Sequence, residues 1–390
     1  MKSQARYAGS DDTVPYDREL IRSGGASRRD RRRQAAGPPP SRQRRSAGPR
    51  RSGGIKRTIR LLVLLVLIAL VVGAVLLGAR AAAFNATVTD TPFISTALLG
   101  PLNGSDRVNV MMVGYGGADH DGAYLADSIQ VLSIDPETET TTTIPIPRDL
   151  WIEGVEAYSQ NGKINEVFST GHAANGEIDE GAALLAEVVS TITGLEVDHW
   201  ITIDFQGFEE MVNAVGGVTV QNPTEFCYTT VESLHHAGQW TMGCYPVGTL
   251  ELNGQKALAY ARARYTSVVS ESTDFARSVR QARIIGSLKS TLGDGGLASI
   301  GPGLGLMDAM EGRVRTDLSV IDLFLLSGHL SSDRRIELSE GPVLTATTNT
   351  IGQYILVPSG WIGPGDYGGL QTYLASELAS PIDSAASDAP

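Results

Sequence analysis

The longest apolar run in the chain is Leu61–Ala79, nineteen uncharged residues built mainly of Leu, Val, Ile and Ala and bracketed by Arg60 and Arg80. At about 1.5 Å rise per residue it reaches roughly 28 Å as a helix, close to the hydrocarbon thickness of a bilayer. It begins after sixty residues and exceeds the apolar core of a cleaved signal peptide, so it reads as a retained membrane anchor. Beyond it the period changes. Val108–Val113 is a continuous apolar strand running into Gly114-Tyr115-Gly116-Gly117. Asp127–Asp135 and Glu139–Ile146 are two further strands, joined through Pro136-Glu137-Thr138 as a hairpin. Helical spacing follows at Glu180–Thr193, stopped by Gly194, then a strand at Val197–Asp204, a helix at Phe205–Val215 and a strand at Gly217–Gln221. Asn253 caps a helix from Gly254 to Ala261, Phe275–Thr291 is a longer amphipathic helix, and Asp317–Leu330 is one more. Residues 294–305 are glycine-rich and read as a loop. Strands and helices mixed in this way predict an α/β fold, a three-layer α/β/α arrangement around a central mixed sheet, preceded by one transmembrane helix.

Charge divides the chain more sharply than hydropathy does. Residues 1–60 hold 17 Lys/Arg against 5 Asp/Glu, whereas residues 81–390 hold 14 against 38. The basic, apolar-poor segment 1–58 cannot bury enough surface to offset chain entropy and reads as a disordered cytoplasmic tail. Basic residues on that side of the apolar run place everything after Arg80 outside the cytoplasm. The expected order is therefore tail 1–58, transmembrane helix 59–80, stalk 81–105, extracytoplasmic domain 106–335, and a C-terminal extension 336–390 that is disordered near its end. The tail has no interleaved aromatics and no recognisable nucleic-acid module, so nucleic acid is not an expected partner, whereas membrane lipid is. Both cysteines, Cys227 and Cys244, lie on the outer side, where a disulfide is the simplest expectation. His235 and His236 between them make a zinc site the less fitting alternative, because the spacing matches none of the usual zinc patterns.

No nucleophile elbow, phosphate-binding Walker loop, metalloprotease helix or reactive cysteine is present. Chemistry must then be sought in the charges. Of the few bases outside, Arg262, Arg264, Arg277, Arg280 and Arg283 fall within one short stretch. Arg277, Arg280 and Gln281 are spaced to share a helix face, while Arg283 points away. Arg148 stands at the end of a strand, where α/β sites form. Arginine suits bidentate binding of phosphate oxygens. Magnesium (or manganese) would complete such a site, held by one or two carboxylates together with phosphate. The carboxylate candidates are Asp119, Asp121 and Asp127, in or beside the glycine-rich turn after the first strand.

These features occur in the order that marks the LytR-CpsA-Psr family of cell-envelope enzymes, which residues 106–290 resemble. The resemblance is carried by Val110-Met111-Met112-Val113-Gly114, Ser133-Ile134-Asp135-Pro136, Ile144-Pro145-Ile146-Pro147-Arg148-Asp149 and Lys163-Ile164-Asn165. It continues through Asp198-His199-Trp200, Asp204-Phe205, Leu252-Asn253-Gly254, Ala257–Arg264 and Asp274-Phe275-Ala276-Arg277 with Arg280-Gln281. It implies transfer of a glycopolymer, of teichoic acid, capsule or arabinogalactan type, from a polyprenyl-pyrophosphate carrier to peptidoglycan through a phosphodiester bond. It also implies that Arg148, Arg262, Arg264, Arg277 and Gln281 contact the pyrophosphate, with Arg280 nearby, and that Asp127 holds Mg²⁺. The polyprenyl chain would occupy an apolar tunnel, with Ala182–Ile192 and Phe208–Val215 as candidate linings. Two departures stand out. The family has Gly-Ser-Asp where this chain has Gly116-Gly117-Ala118-Asp119-His120-Asp121, so Asp121 or Asp119 would take that carboxylate's place. Leu125 replaces the arginine that precedes Asp127 by two, a phosphate contact that Lys163 could supply instead. In the transfer reading Arg148, Arg262 and Arg264 stabilise transition-state charge, and Asp149 orients Arg148. The rival readings are a polyprenyl-pyrophosphate pyrophosphatase using the same residues, and a non-catalytic envelope-binding or regulatory protein of the transcriptional-attenuator type.

Overall fold

The computed structural model describes residues 53–95, 97–118, 120–229, 242–291, 300–327, 329 and 334–380. The basic tail up to residue 52, Asp119, His235, His236, residues 292–299 and the terminal residues from 381 onward lie outside the described residues. The chain divides into two units, Met1–Leu64 and Leu65–Pro390. The described part of the first is the opening of helix α1 (Gly53–Val88), whose segment Val63–Val88 is long and apolar enough to cross a membrane, as in a single-pass membrane protein.

Helix α1 does not stop at Arg80, and the expected stalk is partly wrong. Ala81-Ala82-Ala83 favours helix, and Phe84 and Val88 bury themselves against Val314. Arg80 pairs with Asp308 and Glu311, and the Asn85 amide accepts a hydrogen bond from the Val320 backbone N–H at 2.9 Å. Small and polar residues that resemble a linker in sequence are here the last turns of the anchor, packed into the second unit.

The second unit is built on a six-stranded mixed sheet. Its strands are β1 (Val108–Tyr115), β2 (Ala126–Asp135), β3 (Thr140–Pro145), β4 (His199–Asp204), β7 (Val314–Thr316) and β8 (Arg334–Arg335), with β5 (Val218–Asn222) and β6 (Gly248–Leu252) outside the sheet. The order is β7-β4-β1-β2-β3-β8. β1 pairs antiparallel with β2 and parallel with β4, so the centre is buried on both faces and reads as continuous apolar sequence. Met111, Val113, Ile129, Val131 and Ile144 face helices α2 (Ile164–Asn175) and α3 (Ile178–Thr193). Val108, Val110, Leu132 and Ile134 face Leu318 and Leu326 on the opposite side, around helix α8 (Val320–Ser327). The three-layer expectation therefore holds.

A subsidiary core joins helix α4 (Phe205–Ala214), the hairpin-like pair β5 (Val218–Asn222) and β6 (Gly248–Leu252), and helices α5 (Gly254–Arg262) and α6 (Asp274–Thr291). Helix α5 starts so close to α4 that a Cβ on Gly254 would lie 2.1 Å from the Glu209 carbonyl, so only glycine fits. Cys227 and Cys244 face one another across a short antiparallel pair and form a disulfide.

Two boundaries need correction. Part of the glycine-rich stretch expected to be loop belongs to helix α7 (Ile300–Met310). The extension from residue 336 is folded as far as residue 380, the end of its described part: strands β9 (Leu344–Thr348) and β10 (Tyr354–Pro358) form a hairpin, and helix α9 (Gly368–Ala379) packs on α3. Leu370, Leu374 and Leu378 recur at every fourth position and lie in the same core as Leu185 and Val189. Leu374→Ala should therefore cost about 2–5 kcal/mol of stability. Denaturant unfolding of the full-length protein in detergent checks this, and an unchanged midpoint would mean that α9 is dispensable.

Candidate active site

The strand ends β1, β2 and β3 and the helix α6 meet at two adjoining cavities. One, of about 430 Å³, is lined by Phe84, Met112, Ile201, Phe205, Phe208, Met211, Ile284, Leu288, Met307 and Phe324 among others, almost all apolar. The other, of about 560 Å³, is lined by Arg148, Asp149, Arg264, Asp274 and Tyr354 among others. Asp127, Ser128, Arg277 and Gln281 belong to both walls, so the polar and apolar spaces adjoin there. Helix α6 runs along both. Arg277 and Gln281 on its first turns present polar groups, and Ile284 and Leu288, further along the same stripe, present apolar ones.

The arginines are held by carboxylates and by the backbone. Arg148 is paired with Asp127, and its Nε is buried with no hydrogen-bond partner. Arg277 donates to Asp274 at 2.7 Å and to the Asp127 carbonyl at 3.2 Å, and its Nε is likewise buried and unpartnered. Arg264 lies 3.7 Å from both Asp149 and Asp274 and is the most open of the group. Arg262 lies over the Phe205 ring at 4.0 Å and donates to His120 Nε2 at 2.8 Å. Since His120 Nδ1 lies 2.6 Å from the Asp121 carbonyl, which can only accept, the imidazole must donate there and accept from Arg262. Gly116 allows the ring to sit where it does, because a Cβ there would be 3.0 Å from it. Burial lowers the pKa of Arg262 and of Arg277, that is, it disfavours their charge. An anion in the cavity would offset that cost.

A carboxyl pair lies beside the arginines. Asp149 is buried, bound by Lys163 and hydrogen-bonded to Asp274. Burial and the Asp274 partner raise the Asp149 pKa, against the pull of Lys163 and Arg148. Burial also pushes Asp274 up, but its hydrogen bond to Asp149 and the nearby Arg277 and Arg264 guanidiniums outweigh this and hold its pKa at about 2. Asp149 is thus the member that keeps a proton to higher pH and, once ionised, the stronger base.

Arg277, Gln281 and Asp127 line both cavities, Arg148 and Arg264 the polar one and Arg262 the apolar one; other candidates from the sequence do not reach them. Arg280 is fully buried and spends its donors on the Tyr260, Ala263 and Glu271 carbonyls and the Glu271 carboxylate. It lies about 100° around the helix from Gln281, enough to turn it from the cavity to the 260–271 segment. Asp121 is exposed and lines neither cavity, and Leu125 packs toward Gly122. Lys163 is committed to Asp149 rather than to the position vacated by the missing arginine. Helix α3, with Ala182–Ile192, packs in the core on the far face of the sheet, whereas Phe208 and Met211 do line the apolar cavity. Among the described residues no group of three or more metal-ligating side chains converges; of the carboxylates expected to hold a metal, Asp127 lies on the cavity wall, Asp121 does not, and Asp119 is outside the described residues. Sequence reasoning missed Glu340 and Tyr354, and saw His120 and Asp274 only as parts of motifs. Nothing in the local pattern of the first two marks them; the topology brings them in.

Arg264→Ala should leave the unfolding midpoint nearly unchanged while weakening binding of inorganic pyrophosphate about tenfold. Arg280→Met should do the reverse, costing about 3–5 kcal/mol of stability by stranding Glu271. Thermal unfolding alongside calorimetric titration separates the two roles, and loss of binding without loss of stability in Arg280→Met would return that residue to the site.

Three comparisons bear on this geometry. The LytR_cpsA_psr family model matches residues 79–359. The chain is 26% identical over 226 residues to the polyisoprenyl-teichoic acid–peptidoglycan teichoic acid transferase TagU of Enterococcus faecalis, covering 57% of this chain and 65%, just under two thirds, of that protein. It is 30% identical over 164 residues to the transferase of the same description named TagV from Bacillus subtilis, covering 42% of this chain and 38% of that one. The crystal structure of B. subtilis TagV superposes with a TM-score of 0.51 at 22% identity, over 71% of this chain and all of that one, a likeness of fold.

Proposed function

The chain belongs to the LytR_cpsA_psr family, and from that premise we propose that it is a phosphotransferase that moves a glycopolymer from a polyprenyl-pyrophosphate carrier to peptidoglycan; the names of its relatives describe, for them, transfer of teichoic acid from a polyisoprenyl-linked form to peptidoglycan. The observation that carries this reading is the adjacency of the two cavities. An apolar space shares Asp127, Ser128, Arg277 and Gln281 with a space lined by arginines. A lipid joined to a diphosphate has that division of apolar and anionic parts. The excess of basic residues before α1 supports an orientation with the second unit outside the cytoplasm, where peptidoglycan lies.

In this reading the polyprenyl tail occupies the cavity of Phe84, Phe208, Met211 and Leu288, and the diphosphate lies among Arg148, Arg262, Arg264, Arg277 and Gln281. An acceptor hydroxyl attacks the phosphorus nearest the glycan. The new P–O bond forms as the bridging P–O bond breaks, polyprenyl phosphate leaves, and the hydroxyl proton passes to Asp149. Arg148 and Arg264 meet the charge that grows on the transferring group, and Arg277 that on the leaving phosphate. Asp127 would hold Mg²⁺ or Mn²⁺, which supplies further charge neutralisation at phosphate oxygens when bound. One protein carboxylate with phosphate and water suits such an ion, although Asp127 shares its oxygens with Arg148.

The purified full-length protein, given a polyprenyl-pyrophosphate-linked glycan and peptidoglycan, should release polyprenyl monophosphate and leave the glycan on the acceptor through a phosphodiester. Arg148→Ala should slow this by about 100-fold or more. Release of free glycan phosphate alone, with or without acceptor, would replace the transferase reading by a hydrolase.

The carboxyl pair makes a further demand on pH. Asp149 must be ionised to take the proton, so transfer should fall as pH drops through its raised pKa. Asp274 is one of the causes of that rise, so Asp274→Asn should move the acid limb to lower pH. A pH–rate profile of that variant that is unmoved or displaced upward would exclude Asp149 as the base.

A further inference from the structure

The polar cavity has two unlike walls. One is cationic: Arg148, Arg264 and Arg277. Another part of the lining comes from the segment after residue 335 and consists of Leu338, Ser339, Glu340, Tyr354 and Leu356, none of them basic. Tyr354 is 45% exposed, and its hydroxyl donates to the Glu340 carboxylate. This wall is fastened to the carboxyl pair through the backbone. The Leu356 N–H donates to the Asp149 carbonyl at 2.9 Å, and Leu356 bridges in parallel to Leu150. Tyr354, two residues before Leu356, is thereby held beside Asp149. Its ring and the carboxyl pair then look onto the same space.

We propose that Tyr354, Glu340 and Ser339 form the acceptor subsite, which takes a neutral sugar ring and turns its free hydroxyl toward Asp149 and Asp274. The inference rests on the transfer reading above and names the side from which the acceptor enters. A phosphate group is excluded from this wall by the Glu340 carboxylate and drawn to the arginines. A polyhydroxylated neutral ring has the opposite needs: an apolar face to cover, which Tyr354 offers, and hydroxyl donors to satisfy, which Glu340 and Ser339 accept. The Tyr354 hydroxyl stays protonated, because burial, Glu340 and then the charges of Asp274 and Asp149 all raise its pKa, so it remains a donor. This wall thus supplies a recognition surface beside the base without adding positive charge that competes for the diphosphate.

The test uses the full-length protein in detergent with a short polyprenyl-pyrophosphate-linked glycan as donor and an uncrosslinked peptidoglycan glycan strand as acceptor. Tyr354→Leu should raise the acceptor KM by roughly fivefold to tenfold, leave the donor KM unchanged, and increase the share of donor lost to water. Tyr354→Phe, which keeps the ring, should raise the acceptor KM by about twofold to threefold. The unfolding midpoint of each variant is measured in parallel, and should Tyr354→Leu fail to fold, Tyr354→Phe and Glu340→Gln decide by the same split between acceptor and donor KM. An unchanged acceptor KM in folded variants, with wild-type protein still transferring, overturns this subsite alone. A raised donor KM assigns the wall to the donor glycan and also overturns it. Absence of transfer by the wild-type protein removes the transferase reading and the subsite with it.

Discussion

The site depends on burying several guanidinium groups close together. Arg148, Arg262, Arg264 and Arg277, with Lys163 behind them, share one region, and among the described residues Asp127, Asp149 and Asp274 are the carboxylates paired with them. Desolvation opposes each of these charges, and their mutual repulsion adds to that cost; the lowered pKa values of Arg262 and Arg277 express both. The protein meets the cost only partly, with three carboxylates, the Phe205 face under Arg262 and the His120 acceptor. What is left is an excess of positive charge. In the proposed reading a diphosphate would relieve the repulsion. A divalent cation entering alone would worsen it, so such an ion would fit best together with phosphate oxygens.

The rest of the architecture keeps this cluster at the meeting point of two media. The central strands β1 and β2 place Gly114, Asp127 and Ser128 at their ends, and α6 supplies a stripe that changes from polar to apolar along its length. The far side of the apolar cavity uses Phe84 from the membrane-type helix itself, locked to α7 by Arg80 with Asp308 and Glu311. Anchor and cavity wall are therefore one piece within the second unit. A flexible stalk would leave that wall incomplete, which is a physical reason for the helix to continue through Val88.

How much of this could be read from residues alone follows from how local each signal is. The strands around Met111 and Val131 and the helices α4, α5 and α6 carry strong periodicity or caps, and Arg148, Arg262, Arg264, Arg277 and Gln281 lie in dense motifs; these were legible. Arg280 was not, because a spacing of three leaves a helical residue on the margin of a face, and only the 260–271 segment decides which way it turns. Helix α9 escaped notice because three leucines among small polar residues resemble a tail until α3 is there to receive them. The order of the motifs pointed to a family, yet it said nothing of Tyr354 or Glu340, which reach the site only through the backbone tie between Leu356 and Asp149.

Leu125 shows the limit of reading by correspondence. Its replacement of an arginine suggests a lost phosphate contact and a weakened site. Yet the leucine faces neither cavity and packs toward Gly122, so the expected vacancy is not a gap in the described arginine cluster. The neighbouring turn instead offers His120, which accepts from Arg262 where another arginine would have repelled it. Exchanging a cation for a neutral acceptor lowers the charge that must be buried and fixes the direction of Arg262. The departure is then a different solution to the same electrostatic problem: fewer charges at the apolar border, with the remaining ones more firmly held.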